Sequence, residues 1–184
     1  MMTLPSATTY ARWLSLLRIL TGAMWIAHAL PKFLNAASFM PPNGMMPKLV
    51  AHGAQHGSHA FAGFFATVVT PNLPLFAELA RLGELLTGIA LLLGLFTRLG
   101  GLVGIFLPIM YLAAKGPLLS YETLATPDFS MIVLSGINLV LPTGRVLGFD
   151  ALLGRRRTRI PRVQAEFVPE PPITPPPPPE PSTH

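Results

Sequence analysis

The sequence predicts an all-α integral membrane protein: a four-helix bundle with an interfacial segment between the first two helices and a disordered, proline-rich C-terminal tail. Three observations carry the prediction. Only 11% of the 184 residues are charged, where soluble domains carry roughly 25%. Mean hydropathy is +0.51. Four apolar stretches, at 13–34, 76–96, 99–114 and 129–147, each approach the ~20 residues that cross ~30 Å of hydrocarbon. Four helices packed in water would need polar outer faces, which this composition does not supply.

The N-terminal segment 1–11 precedes a membrane domain over 12–153. Arg18 interrupts the first apolar stretch. The length of that stretch, Arg18 and the lack of a clean small-residue cleavage site predict a retained helix, not a secretory signal. Between the first and second stretches, Pro41, Pro42, Asn43 and Gly44 supply turn chemistry. The apolar run 59–70 is too short to span. It is expected to lie in the outer interface, stopped by Pro71 and Pro74 before the second helix begins. Only Thr97, Arg98 and Leu99 join the second and third stretches, which forces an antiparallel hairpin. On the third helix Gly100 and Gly104 form a GxxxG pattern, read as close helix packing, and Pro108 is expected to kink it.

Beyond residue 154 the composition changes. Arg155, Arg156, Arg157, Arg159 and Arg162 are followed by Pro171, Pro172 and an unbroken proline run over 175–179. Such a run favours extended polyproline II, as a spacer or as a docking peptide for a partner. Counting Lys and Arg orients the chain. A cytoplasmic N-terminus places Arg12, Arg18, Arg98, Arg145 and the tail arginines inside, and only Lys32, Lys48 and Lys115 outside. The excess of positive charge belongs on the cytoplasmic side, so both termini are expected there, in the inner (plasma) membrane.

Composition also limits function. The net charge is +5, but the basic residues crowd after the last apolar stretch. That placement suits a membrane flank better than a nucleic-acid groove, so nucleic acid is not expected as a partner. With no cysteine, the chain has no disulfide, no thiolate metal site and no thiol redox chemistry. Phosphate-loop, G-x-S-x-G and H-E-x-x-H patterns are absent from the sequence.

The ionisable residues inside the stretches are the candidate site. His28 and Lys32 lie at the outer end of the first helix, and Glu78, Arg81 and Glu84 lie in the outer half of the second, with Lys115 and Asp128 at similar depth. Charge in hydrocarbon costs several kcal/mol unless paired, so these groups should meet inside the bundle. Arg81 stands i,i+3 from both Glu78 and Glu84 and can bridge one or both. Lys32 or His28 pairing with Glu84 is the leading contact, and would leave a polar pocket open outward. Two readings stay open: pairs that fix helix register, or a ligand or proton site. His28 is the only histidine within a stretch, so a bis-histidine haem from this chain alone is excluded. His52, His56 and His59 follow i,i+4,i+7 spacing and are the candidates for a metal. Gly53 and Gly57 place them in a loop with no carboxylate nearby, so solvated histidines are expected and no metal site is assigned.

The pattern Trp25-x-x-His28-x-x-Pro31-Lys32 resembles the W-x-x-H-x-x-x-K signature of DoxX-like membrane proteins. Glu84, Gly88, Leu91, Gly94 and Arg98 resemble that family's E-x-x-x-G-x-x-L-x-x-G-x-x-x-R motif. Gly144–Arg145 through Asp150-Ala151-Leu152 resembles its exit segment, with Phe149 where leucine is usual. The likeness covers about 12–153. It implies a four-helix membrane bundle whose motif residues are Trp25, His28, Lys32, Glu84, Gly88 and Arg98. The family takes its name from a small membrane subunit of a quinone-reducing sulfur oxidoreductase. The resemblance therefore implies an accessory or quinone-interacting subunit of an electron-transfer complex, not catalytic alone, with other membrane subunits as partners. Quinone is the only cofactor it suggests; the residues themselves name none. A small-solute or anion permease, and a structural protein docking partners through its tail, are the alternatives.

Overall fold

The computed structural model describes residues 7–116, 121–141, 143–145 and 147–150. The predicted tail from 154 onward, with its arginines and prolines, lies outside them. Eight α-helices follow in order: α1 Ala7–Leu34, α2 Ala36–Phe39, α3 Met45–His56, α4 His59–Phe64, α5 Leu73–Leu93, α6 Thr97–Lys115, α7 Tyr121–Leu124 and α8 Pro127–Val140. Among the described residues the fold is all-α. The long helices pack in the sequence α1 on α5, α5 on α6 and α6 on α8, and α3 sits against α6.

The polarity of the packing is inverted relative to a soluble protein. Ser15, Arg18, Thr21, Lys32, Glu84, Thr87, Asp128, Ser135 and Asn138 are buried, while Trp13, Leu20, Leu86, Leu102, Phe106 and Val140 are more than half exposed. So extensive an apolar exterior is stable only against another apolar medium. Two helices are long and apolar enough to cross a membrane, over Thr9–Leu34 and Thr97–Lys115. The 21-residue α5 carries Glu78, Arg81 and Glu84, and α8 has 14 residues, about 21 Å at 1.5 Å per residue.

Small residues set the helix crossings. A Cβ on Gly88 would fall 2.9 Å from the Ile26 amide nitrogen, and one on Gly22 would fall 2.9 Å from the Gly88 carbonyl. The backbones of α1 and α5 therefore touch there, as small residues permit. On α6 the two GxxxG glycines part company. Gly100 faces Ala90 of α5, whereas Gly101 and Gly104 face Leu139 and Ser135 of α8.

Several expected boundaries move. The segment before α5 is not stopped by its prolines. A π-helical turn over Phe65–Val69 and a 3-10 turn over Thr70–Asn72 carry the chain directly into α5. Pro71 and Pro74 fall in the first turns of their helices, where a missing N–H costs nothing. Phe65 and Val69 are buried in the core of the excursion, beside Phe39, Val50 and Ala114. The segment carrying His52, His56 and His59, expected as a loop, is helical: His52 and His56 lie on α3 and His59 begins α4. In α3, Gly53 is there because the backbone of Ala114 lies 3.0 Å from where a Cβ would be. Helix α8 ends at Val140, not 147, since Leu141 precedes Pro142 and takes extended angles (φ −88°, ψ 143°).

Candidate functional site

One stripe on each long helix faces inward at heptad spacing. On α1 it runs Ser15, Arg18, Gly22, Trp25, Ala29, Lys32; on α5 it runs Ala77, Ala80, Glu84, Thr87, Leu91; on α8 it runs Asp128, Met131, Ser135, Asn138. Alternating steps of three and four hold a seam against neighbouring helices. The buried charges are the charges on these stripes. Charges off them are exposed or only partly buried, and this rule sorts the candidate residues.

Lys32 and Glu84 meet. The Lys32 ammonium donates to both Glu84 carboxylate oxygens, and the Tyr111 hydroxyl of α6 donates to Glu84 Oε1 at 2.6 Å. Glu84 is 0% exposed and Lys32 8%. The Lys32 Nζ also lies 4.7 Å from the Phe39 ring centre and 5.1 Å from that of Tyr111, so two aromatic faces screen the charge from lipid. Each ion would cost several kcal/mol alone. Together, with the phenol completing the carboxylate's partners, they form a neutral buried unit. The Lys115–Asp128 ion pair joins the ends of α6 and α8 and lies within electrostatic range of Lys32.

The other three cluster candidates stay out. His28 is exposed, its ring set edge-on to Trp25 at 6.5 Å. It is i,i+4 from Lys32 but off the stripe that Trp25, Ala29 and Lys32 define, and only the long lysine reaches inward. Among the described residues Arg81 bonds Glu78, through Nε to Oε2 at 2.7 Å and Nη2 to Oε1 at 2.5 Å. The Arg81 guanidinium also covers Phe33 at 4.8 Å. Arg81 cannot serve Glu84 because that carboxylate turns toward α1 and α6. A polar pocket open outward was expected beside this pair. The cavity beside the pair is apolar, about 270 Å³, with the Tyr111 ring in one wall.

Of the motif residues, Trp25 is buried and donates from Nε1 to Ser135 Oγ at 3.2 Å, tying α1 to α8. Gly88 makes the α1–α5 crossing. Arg98 is exposed in the first turn of α6. His52 and His56 lie on α3 as a stacked pair, ring centres 4.7 Å apart, and His52 Nδ1 bonds the Ala114 carbonyl at 2.8 Å. His59 begins α4. No group of three or more potential metal ligands occurs among the described residues.

A second polar centre was not anticipated. Arg18 is 0% exposed and reaches from α1 to donate to the Leu147 carbonyl at 2.7 Å. Its guanidinium lies against Gly94 and Gly148, leaving no room for a Cβ at either. Asp150 works beside it. Its carboxylate accepts from the amides of Phe96 (2.9 Å) and Thr97 (3.1 Å) and from the Thr97 hydroxyl (2.5 Å). Those are otherwise unsatisfied donors at the start of α6. The Asp150 amide in turn donates to the Gly94 carbonyl at 2.8 Å. The signal for Arg18 was its place on the inward stripe, four residues before Gly22 and seven before Trp25.

A family model described as TQO small subunit DoxD matches residues 13–166. No curated protein and no solved structure matches the chain.

Proposed function

Because the chain belongs to the DoxX-like family, through its match to DoxD over residues 13–166, we propose that it is an accessory membrane subunit of an electron-transfer oxidoreductase complex. The family match is the observation that carries this reading. In the finer form of the proposal, α1, α5, α6 and α8 all cross the inner membrane and both termini are cytoplasmic. The inverted polarity supports four crossings, since α5 and α8 turn large apolar side chains outward (Leu79, Leu86, Val133 and Val140) as α1 and α6 do. The short α8 is accommodated by local thinning or by the turns that flank it.

Quinone is the ligand class proposed, with the Lys32–Glu84–Tyr111 unit as the polar group near which its head would act. Those residues can hold a proton and orient a hydrogen bond. A redox group would come from the ligand or from a partner subunit. The buried, charge-neutral pair and its apolar neighbour cavity do not favour the permease reading, which needs a wet polar path. The proline-rich tail is proposed as a contact for another subunit.

Purification in a mild detergent tests the reading. Co-purification of a redox subunit with a quinone or an absorbing cofactor is the expected result. A solitary protein that binds no quinone and stimulates no quinone reduction would overturn it. Deleting 161–184 separately tests the tail, and an intact complex after deletion would reduce it to a spacer.

A further inference from the structure

The cavity beside the buried ion pair carries an inference of its own, which rests on the membrane placement proposed above. Near their connecting turn α5 and α6 are in close contact, with Gly100 against Ala90. Farther along they leave a space that the α3–α4 excursion closes from one end. It runs along α6 from Val103 to Ala114, roughly 16 Å at 1.5 Å per residue. Its α5 wall is made low by Ala80 and Gly83, and its floor is the buried Val50 and Phe65.

Two observations define what fits. Every lining side chain is apolar except Tyr111, whose hydroxyl is committed to Glu84. Ordered water needs two to four polar partners and would not find them along this apolar lining. Flanking the space, Leu79 and Phe106 are 54% and 56% exposed. They belong to the apolar outer surface, so the slot is reached sideways from the surrounding hydrocarbon. We infer that this slot is a binding site for one acyl chain of a bilayer phospholipid, which enters between α5 and α6 and lies against the Tyr111 ring. The chain's gain is the burial of methylenes in a pre-formed, dry slot. The protein's gain is contact for walls that otherwise face a void.

The test uses the full chain in phosphatidylcholine vesicles doped with a phospholipid carrying a diazirine in its acyl chain. After illumination, the adducts are mapped by peptide mass spectrometry. Adducts on the floor residues Val50 and Phe65, alongside adducts on the exposed Leu86 and Leu102, are the expected result. Gly83→Leu, whose new side chain projects toward Leu107, should abolish floor adducts and leave the outer ones unchanged. Ala80→Val is the second filler should the first not fold. Outer adducts without floor adducts would overturn the inference while leaving the membrane placement intact. Floor adducts that persist in a folded filler variant would overturn it as well. No adducts on the outer residues would remove the membrane placement and the inference together.

Discussion

Replacing Lys32 by methionine removes the cation bonded to the Glu84 carboxylate and roughly keeps the volume of the side chain. The carboxylate is 0% exposed and retains one donor, the Tyr111 hydroxyl. Breaking one side of a buried pair typically costs about 3–5 kcal/mol. For a chain of this size that lowers the melting temperature by roughly 6–20 °C, at 2–4 °C per kcal/mol. Glu84→Leu should cost a similar amount, because it strands the ammonium instead. Combining Lys32→Met and Glu84→Leu with Tyr111→Phe removes both charges and the orphaned phenol, and should restore most of the loss, since an apolar unit of similar volume replaces a neutral one. The assay is thermal unfolding in detergent, read by tryptophan fluorescence, for the single and combined variants as a mutant cycle. A combined variant as unstable as the sum of its parts would refute the pairing. So would a loss below about 1 kcal/mol for Lys32→Met, the value of an exposed pair. A combined variant that regains stability but not quinone-linked activity of the complex would separate the ligand role from the register role.

Tyr111→Phe alone should cost about 1.5–3 kcal/mol, the worth of a hydrogen bond to a charged group, in the same unfolding assay. Gly88→Leu should destabilise by about 1–3 kcal/mol or more by forcing α1 off α5 at Ile26, measured as a lower melting temperature and as loss of the detergent-stable monodisperse species. Asp150→Ala should cost about 1–2 kcal/mol through the lost cap of α6 and should speed amide exchange at Phe96 and Thr97, read by mass spectrometry. Lys115→Ala strands the buried Asp128 carboxylate, but Lys115 itself is 44% exposed, so the loss should fall between about 1 kcal/mol for an exposed pair and about 3–5 kcal/mol for a buried one, in the same unfolding assay.

The α5–α6 hairpin was legible because three residues between two apolar runs allow no other connection. The pairing of Lys32 or His28 with Glu84 was an expectation built on depth, and depth could not separate Lys32 from His28. The missing criterion was the heptad stripe. It is carried by residues that look unremarkable in isolation (Ser15, Gly22, Ala29, Ala80, Ser135), and a search for apolar periodicity passes over it because lipid-facing positions are apolar as well. Arg18 was counted as a marker of orientation when its position on the stripe placed it inside. Gly53 and Gly57 read as loop residues, yet Gly53 is a helical contact position. Pro71 and Pro74 read as stops, although a proline in a first helical turn is tolerated. The cavity could not be read from sequence at all, since it arises from how far apart two helices stand.

The cap at the start of α6 has a consequence for biosynthesis. The amides it satisfies belong to Phe96 and Thr97, but the carboxylate that satisfies them is supplied 54 and 53 residues later. While the ribosome is still translating that interval, the hairpin has a bend with open donors and Arg18 has no Asp150 beside it. A nascent chain released before position 150 would keep every long helix and lack the closing bolt. In the proposed topology, with the termini and this bend on the cytosolic side, quality-control proteases there should recognise such a product by that bend, before any defect shows within the bilayer.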